Sequence, residues 1–141
     1  MESMRDRIIS EARTWLGTPF HHEARVKKVG VDCLQLIKAV YETVGVVEKF
    51  EVEHYPADWH FHRNDERYLH GVMKYASEVT TPRKGDVALF KFGRCFSHGA
   101  LVVEWPGIIH AFWSAKYVLE ARADLHPLKN RPVKFFDAIR D

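Results

Sequence analysis

The order of hydrophobic patterns along this 141-residue chain predicts an α+β fold, with helices first and a small antiparallel sheet after them. Two N-terminal segments carry apolar residues at three- and four-residue intervals, which is the spacing of amphipathic helices. After Gly85 the pattern changes to short apolar runs separated by glycine and proline, which is typical of strands and turns. No repeat or low-complexity linker divides the chain, so we expect residues 1–141 to form one domain.

Two helices are predicted in the N-terminal third. The first spans Met4 to Leu16 and ends at Gly17. A polar, basic loop follows, and the second helix begins at or near Cys33, directly after Asp32. Gly45 is the predicted stop of this second helix, which we expect to pack on the sheet.

The segment from Glu48 to Thr81 is rich in aromatic residues and histidines and shows no strong chemical pattern. A short helix is predicted around Asp65 to Ala76, and a hairpin turn at Trp105-Pro106-Gly107. Five strands are predicted from apolar runs, at Val87–Phe90, Ala100–Val103, Ile108–Phe112, Tyr117–Glu120 and Val133–Ile139.

Charge and composition exclude several functional classes. The 21 basic and 19 acidic residues are interspersed, with a net charge of +2, which argues against a nucleic-acid surface. The N-terminus has no apolar signal segment, and nothing resembles a membrane span. We therefore expect cytoplasmic synthesis without a signal peptide and without membrane insertion. Cys33 and Cys95 are expected to be free thiols.

Three residues form a pattern that fits nucleophilic catalysis. Cys33 lies where a helix should begin, and exposed N–H groups at that end stabilise a thiolate. His98 opens the strand Gly99 to Val103, where the sheet could present an imidazole base to the second helix. The hairpin turn brings His110 beside His98, where it could orient the base.

Other interpretations of these residue types remain open. A lone cysteine or a histidine at a strand end is commonly a packing residue, so spacing alone does not assign a function. Cys33, Cys95, His98 and His110 have the ligand types of a zinc site, although no Cys-x-x-Cys or His-x-x-x-His pair is present. Cys95 is interpreted as a packing or loop thiol, with redox inactivation as the alternative. Irregular spacing indicates surface residues rather than metal ligands at His54, His60, His62 and His70.

Several segments together resemble one family of enzymes. In order along the chain they are Trp15-Leu16-Gly17-Thr18-Pro19-Phe20, Gly30-Val31-Asp32-Cys33-Leu34-Gln35-Leu36-Ile37, Pro82 to Phe90, Ser97-His98-Gly99-Ala100-Leu101-Val102 and Ile109-His110-Ala111. Their types and order resemble the NlpC/P60 family of cell-wall cysteine peptidases. The stretch around His21-His22 and the basic loop before Cys33 most resemble the branch encoded by prophages and gene-transfer agents, which is associated with phage tails.

This resemblance implies a papain-like α+β fold and hydrolysis of amide bonds in peptidoglycan stem peptides, commonly between the γ-carboxyl of D-glutamate and the diamino acid. It implies Cys33 as nucleophile, His98 as base and His110 as polar third member. No metal or organic cofactor is implied. The expected partners are the stem peptide and, in the phage branch, tail proteins that deliver the enzyme to the wall.

The chain departs from the family pattern near the cysteine. Phe20 stands where many relatives have a tyrosine, and it lacks the hydroxyl that could donate near the oxyanion. Leu34-Gln35 replaces a smaller pair and could alter the pocket. The backbone N–H of Cys33 is expected as an oxyanion donor. Residues that surround the nucleophile and are expected to bind substrate are Phe20, His21, His22, Asp32 and Ser97.

These departures keep two further functions open. One is a tail or binding protein whose chemistry is weak or lost. The other is an amidase or acyltransferase in which an amine or alcohol, rather than water, resolves an acyl-enzyme on Cys33.

Overall fold

The protein is described by a computed structural model that covers residues 2–52 and 67–139. Its elements follow the predicted order, with helices before the strands of the main sheet. None of the helices within these two ranges has the length and apolar character needed to cross a bilayer.

The first helix, α1, spans Met4–Arg13, and the Ser3 side chain caps its start. It ends a turn earlier than the predicted Leu16. Residues 14–16 continue with tighter bonds, each backbone N–H reaching the carbonyl three residues back. Trp15 therefore stays buried, which explains why the helical spacing of apolar residues runs past the end of the helix.

The loop before the second helix contains a small hairpin that the sequence did not reveal. Its strands are β1, Arg25–Val26, and β2, Gly30–Val31, and they pair antiparallel. The second helix, α2, spans Cys33–Val44 and ends at Gly45, whose φ of 92° is the left-handed conformation that glycine adopts readily. Both predicted ends of α2 are confirmed.

A third helix, α3, spans Arg67–Met73 and lies inside the predicted helix around Asp65 to Ala76, whose first two residues fall outside the described ranges. The strand that follows, β3, Ser77–Val79, was not predicted. It pairs antiparallel with the last strand of the chain.

The main sheet has six strands in the order β3-β8-β4-β5-β6-β7, and all the neighbouring pairs are antiparallel. The strands after β3 are β4, Val87–Phe92; β5, Cys95–Val102; β6, Gly107–Phe112; β7, Tyr117–Arg122; and β8, Val133–Asp137. Helices packed on an antiparallel sheet confirm the predicted α+β class.

Strand β5 differs from its prediction in a way that matters for the site. It begins at Cys95, so His98 lies inside the strand rather than at its opening. Ser97 is an extra residue, because Lys91 pairs with Phe96 and Phe90 pairs with His98. This is a β-bulge, which lets β5 continue through a polar stretch.

The two faces of the sheet carry two separate hydrophobic clusters. The first cluster lies under α1 and α2 and includes Leu89, Leu101 and Ile109. The second cluster includes the alternate residues Phe90 and Ala100 on the opposite face. Successive residues along β5 therefore point alternately to the first cluster and to the second.

Candidate active site

Cys33 is the first residue of α2, and Asp32 is the N-cap that fixes this helix start. One Asp32 oxygen accepts from the backbone N–H of Gln35 and the other from that of Glu23, each at 2.8 Å. The carboxylate thus ties the loop before the helix to the first turn of α2. Cys33 is partly exposed and packs against the first cluster.

Three hydrogen-bond donors lie near the sulfur of Cys33 and lower its pKa. They are the backbone N–H of Gly99 in β5, the hydroxyl of Tyr68 in α3 and the backbone N–H of Leu34. Each donor favours the thiolate form of the sulfur.

A gap between two strands explains why Gly99 can donate to the sulfur. Val102 exchanges backbone hydrogen bonds with Gly85 and Asp86 on the β4 side, so by alternation the N–H of Gly99 points to the β6 side. The pairing of β5 with β6 covers Leu101 and Val102 and ends before Gly99. The Gly99 N–H therefore points into the gap where β5 and β6 part, and the sulfur reaches this gap.

The pKa of the Cys33 thiol is nevertheless raised to about 12. Burial of the sulfur is the largest cause, and the neighbouring Asp32 carboxylate adds to it. Together they outweigh the N–H groups at the helix start. Burial and the Asp32 carboxylate therefore oppose the stabilisation of a thiolate that the start of a helix provides.

His98 and His110 form a direct pair, as the predicted hairpin requires. His98 Nε2 and His110 Nδ1 are 2.7 Å apart, and both residues are buried. Burial lowers the pKa of His110 to about 4, so this imidazole is neutral at ordinary pH. A neutral His110 can accept a hydrogen bond from His98 at Nε2, which would leave Nδ1 as the basic nitrogen of His98.

Aromatic rings enclose the imidazole of His98 on the second-cluster face. Phe92, Phe112 and Trp113 lie 5.0–5.7 Å from it between ring centroids, and all three meet it at steep angles. This packing fixes the orientation of the ring and keeps it in an apolar setting.

The structure places the two imidazoles in direct contact, whereas Cys33 is linked to them through the backbone of β5. The cysteine packs with the first cluster, whereas the His98 ring lies among residues of the second. Between the described residues, no hydrogen bond links the sulfur to His98. The connection runs through the peptide unit of His98 and Gly99 at the strand gap.

The residues expected to bind substrate are not all placed for that role. Asp32 is only 3% exposed and both of its oxygens hold backbone N–H groups, so it acts as a helix cap. Phe20 packs against the first cluster, and its backbone N–H donates to Lys116. Ser97 is buried at the bulge, and its hydroxyl has no hydrogen-bond partner in the described part of the chain.

The His21-His22 pair lies in the loop before α2. His21 is exposed, and its Nδ1 is 3.2 Å from the carbonyl oxygen of His22. His22 Nε2 is 3.0 Å from a carboxylate oxygen of Glu23. Both of these contacts lie within the loop before α2.

Tyr68 is a site residue that sequence reasoning missed. Its side chain is 5% exposed, and its hydroxyl lies near enough to the sulfur of Cys33 to lower the pKa of the thiol. It lies in the segment from Glu48 to Thr81, where no motif singles it out. A tyrosine on the buried side of a short predicted helix was the available signal, and only tertiary packing shows what it touches.

The alternative of a metal centre gains no support. Within residues 2–52 and 67–139, no group of three histidine, cysteine or acidic side chains is arranged to hold a metal ion. Cys95 is buried and both cysteines are free thiols, as predicted. His70 is exposed on α3, whereas His54, His60 and His62 lie outside the described residues.

No protein-family model and no curated protein sequence matches the chain. Solved structures do match it. The NlpC/p60 domain of the peptidoglycan hydrolase SagA aligns with 92% of this chain and 96% of its own, at 15% identity and a TM-score of 0.64. The peptidoglycan hydrolase RipB from Mycobacterium tuberculosis aligns over 98% of this chain and 66% of its own, at 16% identity and a TM-score of 0.67.

A third match has lost catalysis. RipD from Mycobacterium tuberculosis, a non-catalytic NlpC/p60 domain protein adapted to peptidoglycan binding, covers 99% of this chain and all of its own. Its identity is 14% and its TM-score 0.64. Similarity at this level concerns the fold, and the chain has the α+β fold of NlpC/P60 domains.

Proposed function

We propose that this protein is a cysteine peptidase that hydrolyses amide bonds in peptidoglycan stem peptides, with Cys33 as nucleophile, His98 as base and His110 as the residue that orients the base. One observation supports this most. The sulfur of Cys33 lies at the start of α2, near the backbone N–H of Gly99. Gly99 directly follows His98, whose buried imidazole lies 2.7 Å from that of His110.

The proposed reaction begins with attack of the Cys33 sulfur on the carbonyl carbon of the scissile amide. The S–C bond forms, the thiol proton passes to Nδ1 of His98, and the carbonyl electron pair moves onto oxygen. Collapse of this intermediate breaks the C–N bond, and His98 returns the proton to the departing amine. Water then attacks the thioester carbon, giving up a proton through His98, and releases the carboxylic acid and the thiol.

The raised pKa of Cys33 determines how the first step proceeds. A raised thiol pKa disfavours a thiolate–imidazolium pair in the resting protein. The proton must leave during attack, as in general-base catalysis.

The preferred bond and the route of delivery are finer parts of the same proposal. The sequence resemblance favours the bond between the γ-carboxyl of D-glutamate and the diamino acid, and delivery by a phage-type tail. Mass spectrometry of purified particles tests the second point, because a tail component should be present in them at a fixed ratio to tail proteins. Its absence from such particles would refute tail delivery and leave the peptidase proposal standing.

Incubation of the purified protein with defined muropeptides, followed by mass spectrometry, tests the activity. Wild type should cleave, and Cys33→Ala should not. Cys95→Ala is the matched control, since Cys95 is buried in the same molecule and carries no proposed role. The mass of the product tells whether water or an added amine resolves the acyl-enzyme. Cleavage by Cys33→Ala at the wild-type rate would rule out Cys33 as nucleophile.

A binding protein is the second candidate, and the raised pKa of the Cys33 thiol favours it. In that case wild type and Cys33→Ala should both sediment with insoluble peptidoglycan, and neither should release fragments. Sedimentation with release of fragments by wild type alone would instead identify a peptidase.

A further inference from the structure

We propose that the Tyr68 hydroxyl is a catalytic hydrogen-bond donor, which holds the reacting sulfur of Cys33 and then the oxyanion that forms beside it. This inference rests on the proposed peptidase function. It gives a source for the hydroxyl that Phe20 lacks.

Packing fixes the position of this hydroxyl. Tyr68 is 5% exposed, belongs to the first cluster and projects from α3, which packs against β5. Its oxygen lies directly over Gly99, because a Cβ atom added there would be 2.3 Å from it. The absence of a side chain at Gly99 is therefore what makes room for the hydroxyl next to the strand gap.

The hydroxyl lies where negative charge develops. In the resting molecule it lies over Gly99 and near the Cys33 sulfur, whose pKa it lowers together with the N–H groups of Gly99 and Leu34. When the sulfur bonds to a carbonyl carbon, the oxyanion sits on the atom next to sulfur. Donors already gathered around the sulfur are then within reach of that oxygen, and a phenol O–H can turn towards it without leaving its packed position.

Phe20 makes a different contribution. Its ring packs against the first cluster and offers no hydrogen-bond donor. The tyrosine hydroxyl near the sulfur instead belongs to α3.

Tyr68→Phe tests this proposal because it keeps the ring and removes only the hydroxyl. Tyr41→Phe is the matched control, since the Tyr41 hydroxyl is also buried and donates to the Gly85 carbonyl at 2.7 Å, away from Cys33. Three quantities are measured for both variants and wild type. They are the rate of Cys33 alkylation by iodoacetamide between pH 7 and 9, resolved from Cys95 by peptide mapping, the kcat and KM on muropeptides, and the urea midpoint of unfolding.

We expect Tyr68→Phe to slow alkylation and to lower kcat, each by roughly 10- to 100-fold, with little change in KM, because a hydrogen bond to a charged group is lost. Tyr41→Phe should lower the urea midpoint and leave alkylation of the folded protein unchanged. A purely structural Tyr68 would give wild-type alkylation and kcat in Tyr68→Phe, and that result overturns the proposal. If wild type cleaves no muropeptide, the peptidase function fails, and the alkylation rates alone still decide whether Tyr68 serves the sulfur.

Discussion

Substitution of Gly99 by alanine is the sharpest perturbation that the site offers. The added Cβ would lie 2.3 Å from the Tyr68 hydroxyl oxygen and 2.9 Å from Cδ1 of Ile37. Non-bonded heavy atoms settle at about 3.5 Å, so the hydroxyl must retreat by roughly 1 Å. Tyr68 is buried and Ile37 belongs to α2, so neither side chain can swing into solvent.

Two effects should follow from this displacement. Overpacking of this kind lowers the free energy of unfolding by about 1–3 kcal/mol. Moving the hydroxyl away from the Cys33 sulfur removes the proposed hydrogen bond to the charged state, worth about 1.5–3 kcal/mol, which corresponds to roughly a 10- to 100-fold lower kcat/KM. We expect Gly99→Ala to show both.

Gly71→Ala provides the control, because Gly71 lies in α3 and an added Cβ there meets no atom within 4 Å. Alanine should stabilise this helix by up to ~1 kcal/mol and leave kcat/KM unchanged. Urea unfolding and muropeptide turnover are measured for both variants. Wild-type turnover and stability in Gly99→Ala would refute the close approach of Tyr68 to β5 and the role assigned to it.

Two further predictions concern ionisable groups. The pKa of His110 is about 4 in the folded protein and near its ordinary value of 6.5 in the unfolded chain. Between pH 4 and pH 6.5 the unfolded chain therefore binds more protons than the folded protein. The free energy of unfolding should therefore fall by up to about 3 kcal/mol as the pH drops from 6.5 to 4. In His110→Asn the fall should be much smaller. Equal losses of stability in urea titrations of the two proteins would count against a buried neutral His110. Burial alone would raise the pKa of Glu42, but bonds from Lys38, Arg25 and a backbone N–H outweigh it and lower the pKa. Glu42→Gln should destabilise the protein by about 3 kcal/mol above pH 5. Glu120→Gln, at an exposed ion pair, should change stability by less than about 1 kcal/mol. Similar urea midpoints for the two variants would show that the buried network contributes little.

Features set by local residue chemistry could be predicted from the sequence. Asp32 before the apolar run and Gly45 after it mark both ends of α2, because a cap and a left-handed stop act within a few residues. The Trp105-Pro106-Gly107 turn places His98 and His110 on neighbouring strands, and the pairing of their rings follows.

Features set by packing could not be predicted in the same way. The start of β5 at Cys95 escaped notice because the bulge residue Ser97 interrupts the alternation of the strand. The approach of Tyr68 to Cys33 brings together two helices that are distant in sequence. The raised pKa of the thiol depends on how neighbouring elements pack around the sulfur, which no local pattern encodes.

The bulge at Ser97 also bears on how hairpin length can vary in evolution. Phe96 pairs with Lys91, and His98 pairs with Phe90, so the extra residue between them is absorbed without changing the partner on either side. A chain one residue shorter at this point would form a regular ladder and still present the histidine on the same face. The spacing between the turn after β4 and the histidine can therefore differ by one residue between related proteins, and a gap placed here in an alignment is compatible with a histidine on the same face of the sheet.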